Sequence, residues 1–228
     1  MFIVIEGLDG AGKSTQVAMM RRLLEERYGR EVEYLHFPRF DAPVYGDLIA
    51  RFLRGELGAV DAVNPYLVGL IYAGDRQSAA EMIRHWLAAG KAVIVDRYVY
   101  SNIAYQCAKL PAGSETRTEL KQWILDLEYT HHGIPRPDLS LFLDVPFAFT
   151  AKKLGEQREG DDRAYLKGKQ DIHEASLTLQ QNVREVYLSC ASEDPTFRVI
   201  DCGDPKSGGM LPPDVIFNKI TDEITRYI

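Results

Sequence analysis

The string Gly7-Leu8-Asp9-Gly10-Ala11-Gly12-Lys13-Ser14, followed by Thr15, is the stretch whose residue types and spacing most directly specify chemistry. It fits GxxxxGK[ST] at every fixed position. It also lies between an apolar run, Phe2 to Glu6, and a segment with Val17, Met20 and Leu24 at helical spacing, which is the strand, loop and helix context the motif needs. Glycines let a backbone wrap phosphates with its N–H groups turned inward, and a helix starting there adds its positive end. Lys13 is expected to reach the β- and γ-phosphates. Ser14 is placed to offer its hydroxyl to Mg²⁺, a hard cation that takes few protein ligands. A bound nucleoside triphosphate follows, but not yet what is done with it.

A guanine-nucleotide switch would need a base-reading NKxD on a loop. The closest string, Asn218-Lys219-Ile220-Thr221, has threonine in place of the aspartate and falls in a C-terminal helical pattern. Asp96-Arg97-Tyr98 instead ends an apolar run, so an acid and a base emerge together where open α/β sheets place ligands. A carboxylate beside a metal and an arginine on an acceptor phosphate are what phosphoryl transfer requires. A lone tripeptide of this kind is also compatible with a surface salt bridge. Tyr72 and Arg76 stand at i and i+4 of a long helical stretch, stacked on one face, where they suit a planar base; a tyrosine there is also compatible with a core position. Arg39, after Phe37-Pro38, is a further cation at the same edge.

These groups must be carried by a frame. Five short runs, Phe2 to Glu6, Val32 to Phe37, Ala92 to Asp96, Leu139 to Val145 and Phe197 to Asp201, are apolar with little period-two alternation, as strands covered on both faces are. Helical patterns alternate with them. Gly29 ends the first, Asn64 and Pro65 open a long one that Gly90 closes, and Pro212 and Pro213 introduce the last. The expected fold is α/β, a three-layer doubly wound parallel sheet in one domain over residues 1–228. Gly155 to Gly168 (GEQREGDDRAYLKG) is glycine-punctuated, densely charged and apolar only at Ala164, Tyr165 and Leu166. It reads either as a solvated loop or as a mobile flap.

With 46% hydrophobic and 26% charged residues the 228-residue chain has the composition of a folded globular protein. A net charge of −6 argues against coating nucleic acid, so any phosphate is held in a local site. No apolar run approaches a membrane span and Phe2 to Ile5 is too short for a signal sequence, so no membrane and a cytoplasmic location are expected. Cys107, Cys190 and Cys202 have no CxxC spacing and suggest neither disulfides nor zinc. His36, His85, His131, His132 and His173 show no ligand spacing and read as surface or satisfied core residues.

The chain resembles the thymidylate kinases, within the nucleoside monophosphate kinase group, over essentially its whole length. EGLDGAGKSTQ from Glu6 to Gln16, FPR from Phe37 to Arg39, YAGDR from Tyr72 to Arg76, DRYVYSNIAYQ from Asp96 to Gln106 and PDLSLFLDV from Pro137 to Val145 carry the resemblance by their order and spacing. It implies a five-stranded sheet in the order 2-3-1-4-5, ATP and Mg²⁺ as co-substrate and metal, and dTMP as acceptor. Residues Gly7 to Thr15 would hold ATP. Asp9 would meet the deoxyribose 3′-hydroxyl or a metal-bound water, while Arg97 and Arg39 would grip the dTMP phosphate and Asp96 would help Ser14 hold Mg²⁺ and orient the acceptor. Phe37 would contact the substrate, Tyr72 would stand in the place of the aromatic that stacks on the base, and Arg76 would bond its edge. Asn102, Tyr105 and Gln106 would pack against base and sugar, with Tyr105 crowding a ribose 2′-hydroxyl.

Gly10 stands where some members carry an arginine, as in those that bring the catalytic arginine from the flap. Arg158, or Arg163 five residues on, is the candidate. Closure of segment 155–168 would then supply positive charge and exclude water. The resemblance also implies a homodimer. A deoxyribonucleoside kinase and a non-catalytic nucleotide-binding module are the alternatives; the paired cationic residues on the acceptor side favour a monophosphate acceptor.

Overall fold

The five apolar runs form five parallel strands in the computed structural model: β1 (Phe2–Gly7), β2 (Val32–His36), β3 (Ala92–Asp96), β4 (Leu139–Asp144) and β5 (Phe197–Asp201). Their order in the sheet is β2-β3-β1-β4-β5, as expected. The structure describes residues 1–155, 161–167, 171–173 and 176–227, with the side chains of 152–155 and 161–163 outside that set.

Alternate residues of each central strand point to opposite faces. Phe2 and Val4 join Val93, Val95 and Phe142 in a core shared with α4 (Val99–Cys107) and α7 (Leu177–Glu193). Ile3 and Ile5 join Ile94, Leu141 and Leu143 on the other face, against α1 (Lys13–Arg22) and α8 (Pro213–Ile224). Full burial of each such side chain is worth roughly 1.5–3 kcal/mol, so both faces must be covered for the sheet to persist. That double cover is why these strands lack alternation in the sequence.

The remaining helices are α2 (Tyr45–Leu53), α3 (Pro65–Ala88), α5 (Glu115–Leu125) and α6 (Phe147–Gly155). The boundary signals hold: the Asn64 side chain accepts from Tyr66 N at 2.9 Å with Pro65 at the first turn, and Pro213 opens α8. Two helices end in π-helical turns, Leu23–Arg27 after α1 and Asp126–His131 after α5, which spacing did not foretell. Among the described residues no helix is long and apolar enough to cross a membrane. Within the segment read as a flap, Asp161–Leu166 forms a 3₁₀ turn whose Leu166 is buried and whose Tyr165 stacks on Phe40, so these residues are docked against the α2 side.

Register decides what meets at the sheet edge. β1 and β3 are neighbours with Ile5 opposite Asp96, and the N–H of Arg97 bonds the Ile5 carbonyl at 2.9 Å. The loop leaving β1 and the turn leaving β3 therefore emerge side by side at the carboxyl edge, where the strand connections diverge.

Candidate active site

The loop after β1 is shaped by Gly10 and Gly12, at φ 79° and 80°, a conformation that costs an L-residue about 1–2 kcal/mol. Gly12 is the N-cap of α1 and no side chain caps that end. The first-turn N–H groups have no intrahelical acceptor, so a positive helix end faces the space above the sheet. Lys13 Nζ lies 3.3 Å from the carbonyls of Gly7 and Leu8 and 4.0 Å from Asp96 Oδ1. Burial, then the neighbouring Arg97, lowers the Lys13 ammonium, while Asp96 and Asp9 hold the proton on it.

Asp96 is buried at the end of β3. Burial alone would raise its carboxyl, but Lys13, then His36, whose Nδ1 lies 3.6 Å from Oδ2, and Arg97 bring it below its ordinary value. Asp96 Oδ1 is buried without a hydrogen-bond partner among the described residues. An orphaned carboxylate oxygen beside a lysine, with the Ser14 hydroxyl lining the same space, fits a hard divalent cation that completes its shell with phosphate oxygens and water. Among the described residues no group of three His, Cys, Asp or Glu side chains stands together as a metal cage.

Arg97 adopts φ 66°, which a non-glycine residue holds only when its surroundings impose it. The cause is Glu6, a fully buried residue of β1. Glu6 Oε1 accepts the N–H groups of Tyr98 at 2.9 Å and Ser101 at 3.2 Å, capping α4 from beneath, and Oε2 accepts from Ser101 Oγ and Tyr187 OH. The turn is pinned by these bonds just after Arg97 and by the Arg97 N–H on the Ile5 carbonyl, and the guanidinium lies on Asp9 Oδ1 at 2.8 Å. Tyr105 OH donates to Asp9 Oδ2 at 3.1 Å, and the Arg97 guanidinium lies over the Tyr105 ring.

A cavity of about 770 Å³ opens over these groups. Asp9, Gly10, Ala11, Gly12, Lys13 and Ser14 line one end. Phe37, Tyr72, Arg76, Asn102, Tyr105 and Gln106 line the other, with Asp96 and Arg97 also in its wall. The two anion sites thus share one space. Gly7 and Leu8 lie behind the cradle and serve Lys13 through their carbonyls, and Thr15 is exposed outside the lining.

Arg39 is not in the lining: its Nε donates to Asp75 Oδ1 at 2.9 Å and its Nη2 to the Asp75 carbonyl at 2.8 Å, clamping the loop after β2 to α3. Arg158 lies outside the described residues, as does the side chain of Arg163. His36 is exposed, as a surface histidine is expected to be, and also lines the cavity; His173 differs from the satisfied-core expectation, because it lines the cavity and its buried Nε2 has no partner among the described residues. Burial, then Lys109, holds the His173 imidazole well below its ordinary value. Phe40, Tyr165 and Asp171 also line the cavity without having been singled out as site residues.

A family model described as Thymidylate kinase matches residues 5–207. The chain belongs to the thymidylate kinase family. It is 33% identical over 220 residues to the thymidylate kinase of Mycobacterium tuberculosis, covering 94% of this chain and 99% of that one. A probable thymidylate kinase of Thermococcus kodakarensis is 34% identical over 206 residues, covering 88% and 89%. Among solved structures, the thymidylate kinase of Candida albicans superposes with a TM-score of 0.73 at 26% identity, over 99% of this chain and 91% of that one. That structure is described as revealing the origin of broad substrate specificity and a novel structural element.

Proposed function

We propose that the cavity at the ends of β1 and β3 performs the thymidylate kinase reaction, in which the γ-phosphoryl group of ATP passes to the phosphate of dTMP, giving dTDP and ADP. The observation that carries this is that Lys13 and Arg97 line one cavity, with Asp96 beside Lys13 and Asp9 beside Arg97. An acceptor oxygen on the Arg97 side can attack phosphorus held on the Lys13 side directly, with the P–O bond to ADP breaking in line and no covalent enzyme intermediate.

In this reading Lys13 and the first turn of α1 bind the β- and γ-phosphates, with Asp9 to Ser14 forming the wall of the ATP cradle and Gly7, Leu8 and Thr15 flanking it. Arg97 grips the dTMP phosphate, and Arg39 would join it only by leaving its clamp on Asp75. Asp9 orients Arg97 and meets the sugar hydroxyl. Phe37 and Tyr72 flank the base, Arg76 bonds its edge, and Asn102, Tyr105 and Gln106 close the sugar and base wall. Ser14 and Asp96 would hold Mg²⁺, which when bound neutralises charge on the transferring phosphate oxygens. Arg158 or Arg163 brings positive charge from segment 155–168. One kinase domain over residues 1–228, a homodimer and a cytoplasmic location complete the reading; exposed Leu67 and Leu70 on α3 give a dimer an apolar surface to use.

The test is a coupled ADP-release assay with MgATP against dTMP, dUMP, dCMP, dGMP and thymidine. Turnover is expected to be highest with dTMP. Phosphorylation of thymidine in preference to dTMP, or ATP binding with no dTDP formed, overturns the assignment.

A further inference from the structure

Glu128, in the π-helical turn Asp126–His131, is fully buried behind the acceptor end of the cavity. Its carboxylate takes Arg76 side-on, Oε2 from Nε at 2.5 Å and Oε1 from Nη2 at 2.7 Å, and Oε1 also accepts from Asn102 Nδ2 at 3.0 Å. The same Asn102 nitrogen donates to the Gly69 carbonyl at 3.0 Å, which fixes the amide with its oxygen turned to Gln106 Nε2 at 3.4 Å. Gln106 Oε1 in turn accepts from Lys109 Nζ at 2.8 Å.

Two consequences follow for what this wall can bind. The side-chain oxygens of Glu128, Asn102 and Gln106 each already accept a hydrogen bond inside the protein, while Arg76, whose Nη1 takes part in none of these bonds, lines the cavity as a donor. The Arg76 charge is also balanced by a buried carboxylate in direct contact. A guanidinium held this way is a fixed donor whose charge is already compensated, suited to a ring carbonyl more than to a second anion. A ring amine at the same place would meet donor against donor, a mismatch that buried polar sites reject strongly.

Resting on the dTMP reading above, we propose that Glu128 is a positioning residue that sets base selectivity. Acting through Arg76 and Asn102, it makes the cavity take a pyrimidine with a carbonyl at that edge and refuse one with an amine. With Glu128 changed, Arg76 loses both carboxylate bonds and is free to swing, and the Asn102 amide keeps only the Gly69 carbonyl, so the donor that opposes an amine is no longer held in place.

The experiment compares kcat and KM for dTMP, dCMP and ATP in wild type, Glu128→Gln, Arg76→Gln and the double variant. In Glu128→Gln the ratio of kcat/KM for dTMP over dCMP is expected to fall about tenfold or more, mainly through the dTMP KM, with the ATP KM unchanged. A purely structural role would lower both substrates by the same factor, or move the ATP KM, and either result overturns the proposal. Should Glu128→Gln alone not fold because it strands a buried charge, the double variant removes both charges and keeps an amide contact. Its selectivity is expected to equal that of Arg76→Gln within about threefold. A further loss of about tenfold or more shows Glu128 acting by another route and overturns the proposal. Failure of wild type to phosphorylate dTMP would instead strike the functional reading itself.

Discussion

Arg97 Nη2 donates to Asp9 Oδ1 at 2.8 Å, so the residue that leaves β3 is tied to a residue in the middle of the phosphate cradle. This one bond joins two parts of the chain separated by 88 positions and fixes the distance between a donor site and an acceptor site. Its geometry depends on the left-handed turn at Arg97, which Glu6 holds through the N–H groups of Tyr98 and Ser101. Asp9 neutralises Arg97 while the site waits, and an incoming phosphate can share that guanidinium because its other terminal nitrogen, among the described residues, makes one long bond, 3.3 Å to Ser101 Oγ.

Arg97→Lys keeps the charge and loses the planar fork that serves Asp9 and a phosphate together. The expected outcome is a fall of about 10²–10³ in kcat/KM for dTMP, the scale of one lost oxyanion donor. The ATP KM is expected to stay within about threefold of wild type, since the cradle is untouched. Steady-state kinetics with each substrate varied in turn checks this.

Asp96→Asn tests the cation site. The carboxylate is held ionised, against its burial, by Lys13, His36 and Arg97, and its Oδ1 has no protein partner among the described residues. The amide is expected to lower kcat by about 100-fold or more and to raise the Mg²⁺ concentration giving half-maximal rate. ADP affinity measured calorimetrically without Mg²⁺ should change little. An unchanged Mg²⁺ dependence would remove Asp96 from the cation site.

The cradle was legible because its chemistry is local: glycines, lysine and serine at fixed spacing act where they stand. The strands were legible for a related reason, since burial on both faces leaves an apolar run as its mark. Glu6 and Glu128 were not read as functional from the chain alone, because each acts across the sheet or between helices, on partners 95 and 52 positions away, and a lone glutamate in an apolar stretch carries no spacing. Arg39 shows the converse. Its place after β2 suggested a phosphate, but whether a guanidinium points into a cavity or onto Asp75 depends on a contact from α3 that no local pattern records. His173 stayed hidden because its neighbours Tyr105 and Phe52 come from other elements.

Lys109 gives a pH prediction. Burial lowers its ammonium to about 7, although Gln106 and the Phe52 ring both contact Nζ. In the unfolded chain a lysine titrates near 10.4, so between about pH 7 and pH 10 the unfolded chain binds a proton that the folded chain lacks, and stability from this group rises with pH. Lys109→Met keeps the stem against Phe52 and removes the proton. Its stability relative to wild type is expected to be greatest near neutral pH and to shrink toward about pH 10, as read from urea midpoints. A difference independent of pH would show that Lys109 stays charged throughout.

The charge proposed to come from segment 155–168 can be assigned by kinetics. Gly10 leaves the cradle without an arginine of its own, and Arg158 and Arg163 are the two available in the segment. Arg158→Ala is expected to cost about 10³ in kcat with the ATP KM little changed, as for an arginine that acts in the transition state. If Arg163→Ala carries that loss and Arg158→Ala does not, the role moves to Arg163.

Phe40 and Tyr165 offer a test of whether the same segment closes on the acceptor side. Their rings stack at 3.8 Å between centroids and 9° between planes, and both line the cavity. Tyr165 is further held by Arg54 Nη1 on its carbonyl at 2.7 Å and by its own hydroxyl on Asp171 at 2.9 Å, so the stack joins an anchored turn to the loop after β2. An aromatic pair of this kind contributes roughly 0.5–1.5 kcal/mol beyond area burial. If dTMP binds beneath the closed pair, Phe40→Ala and Tyr165→Ala should each raise the dTMP KM by about 3- to 10-fold, and the double variant should be little worse than either. A double-mutant cycle on dTMP binding then shows a coupling of about 1 kcal/mol. Strictly additive losses would mean that the two rings meet the substrate independently, and that the contact between them does not help to close the site.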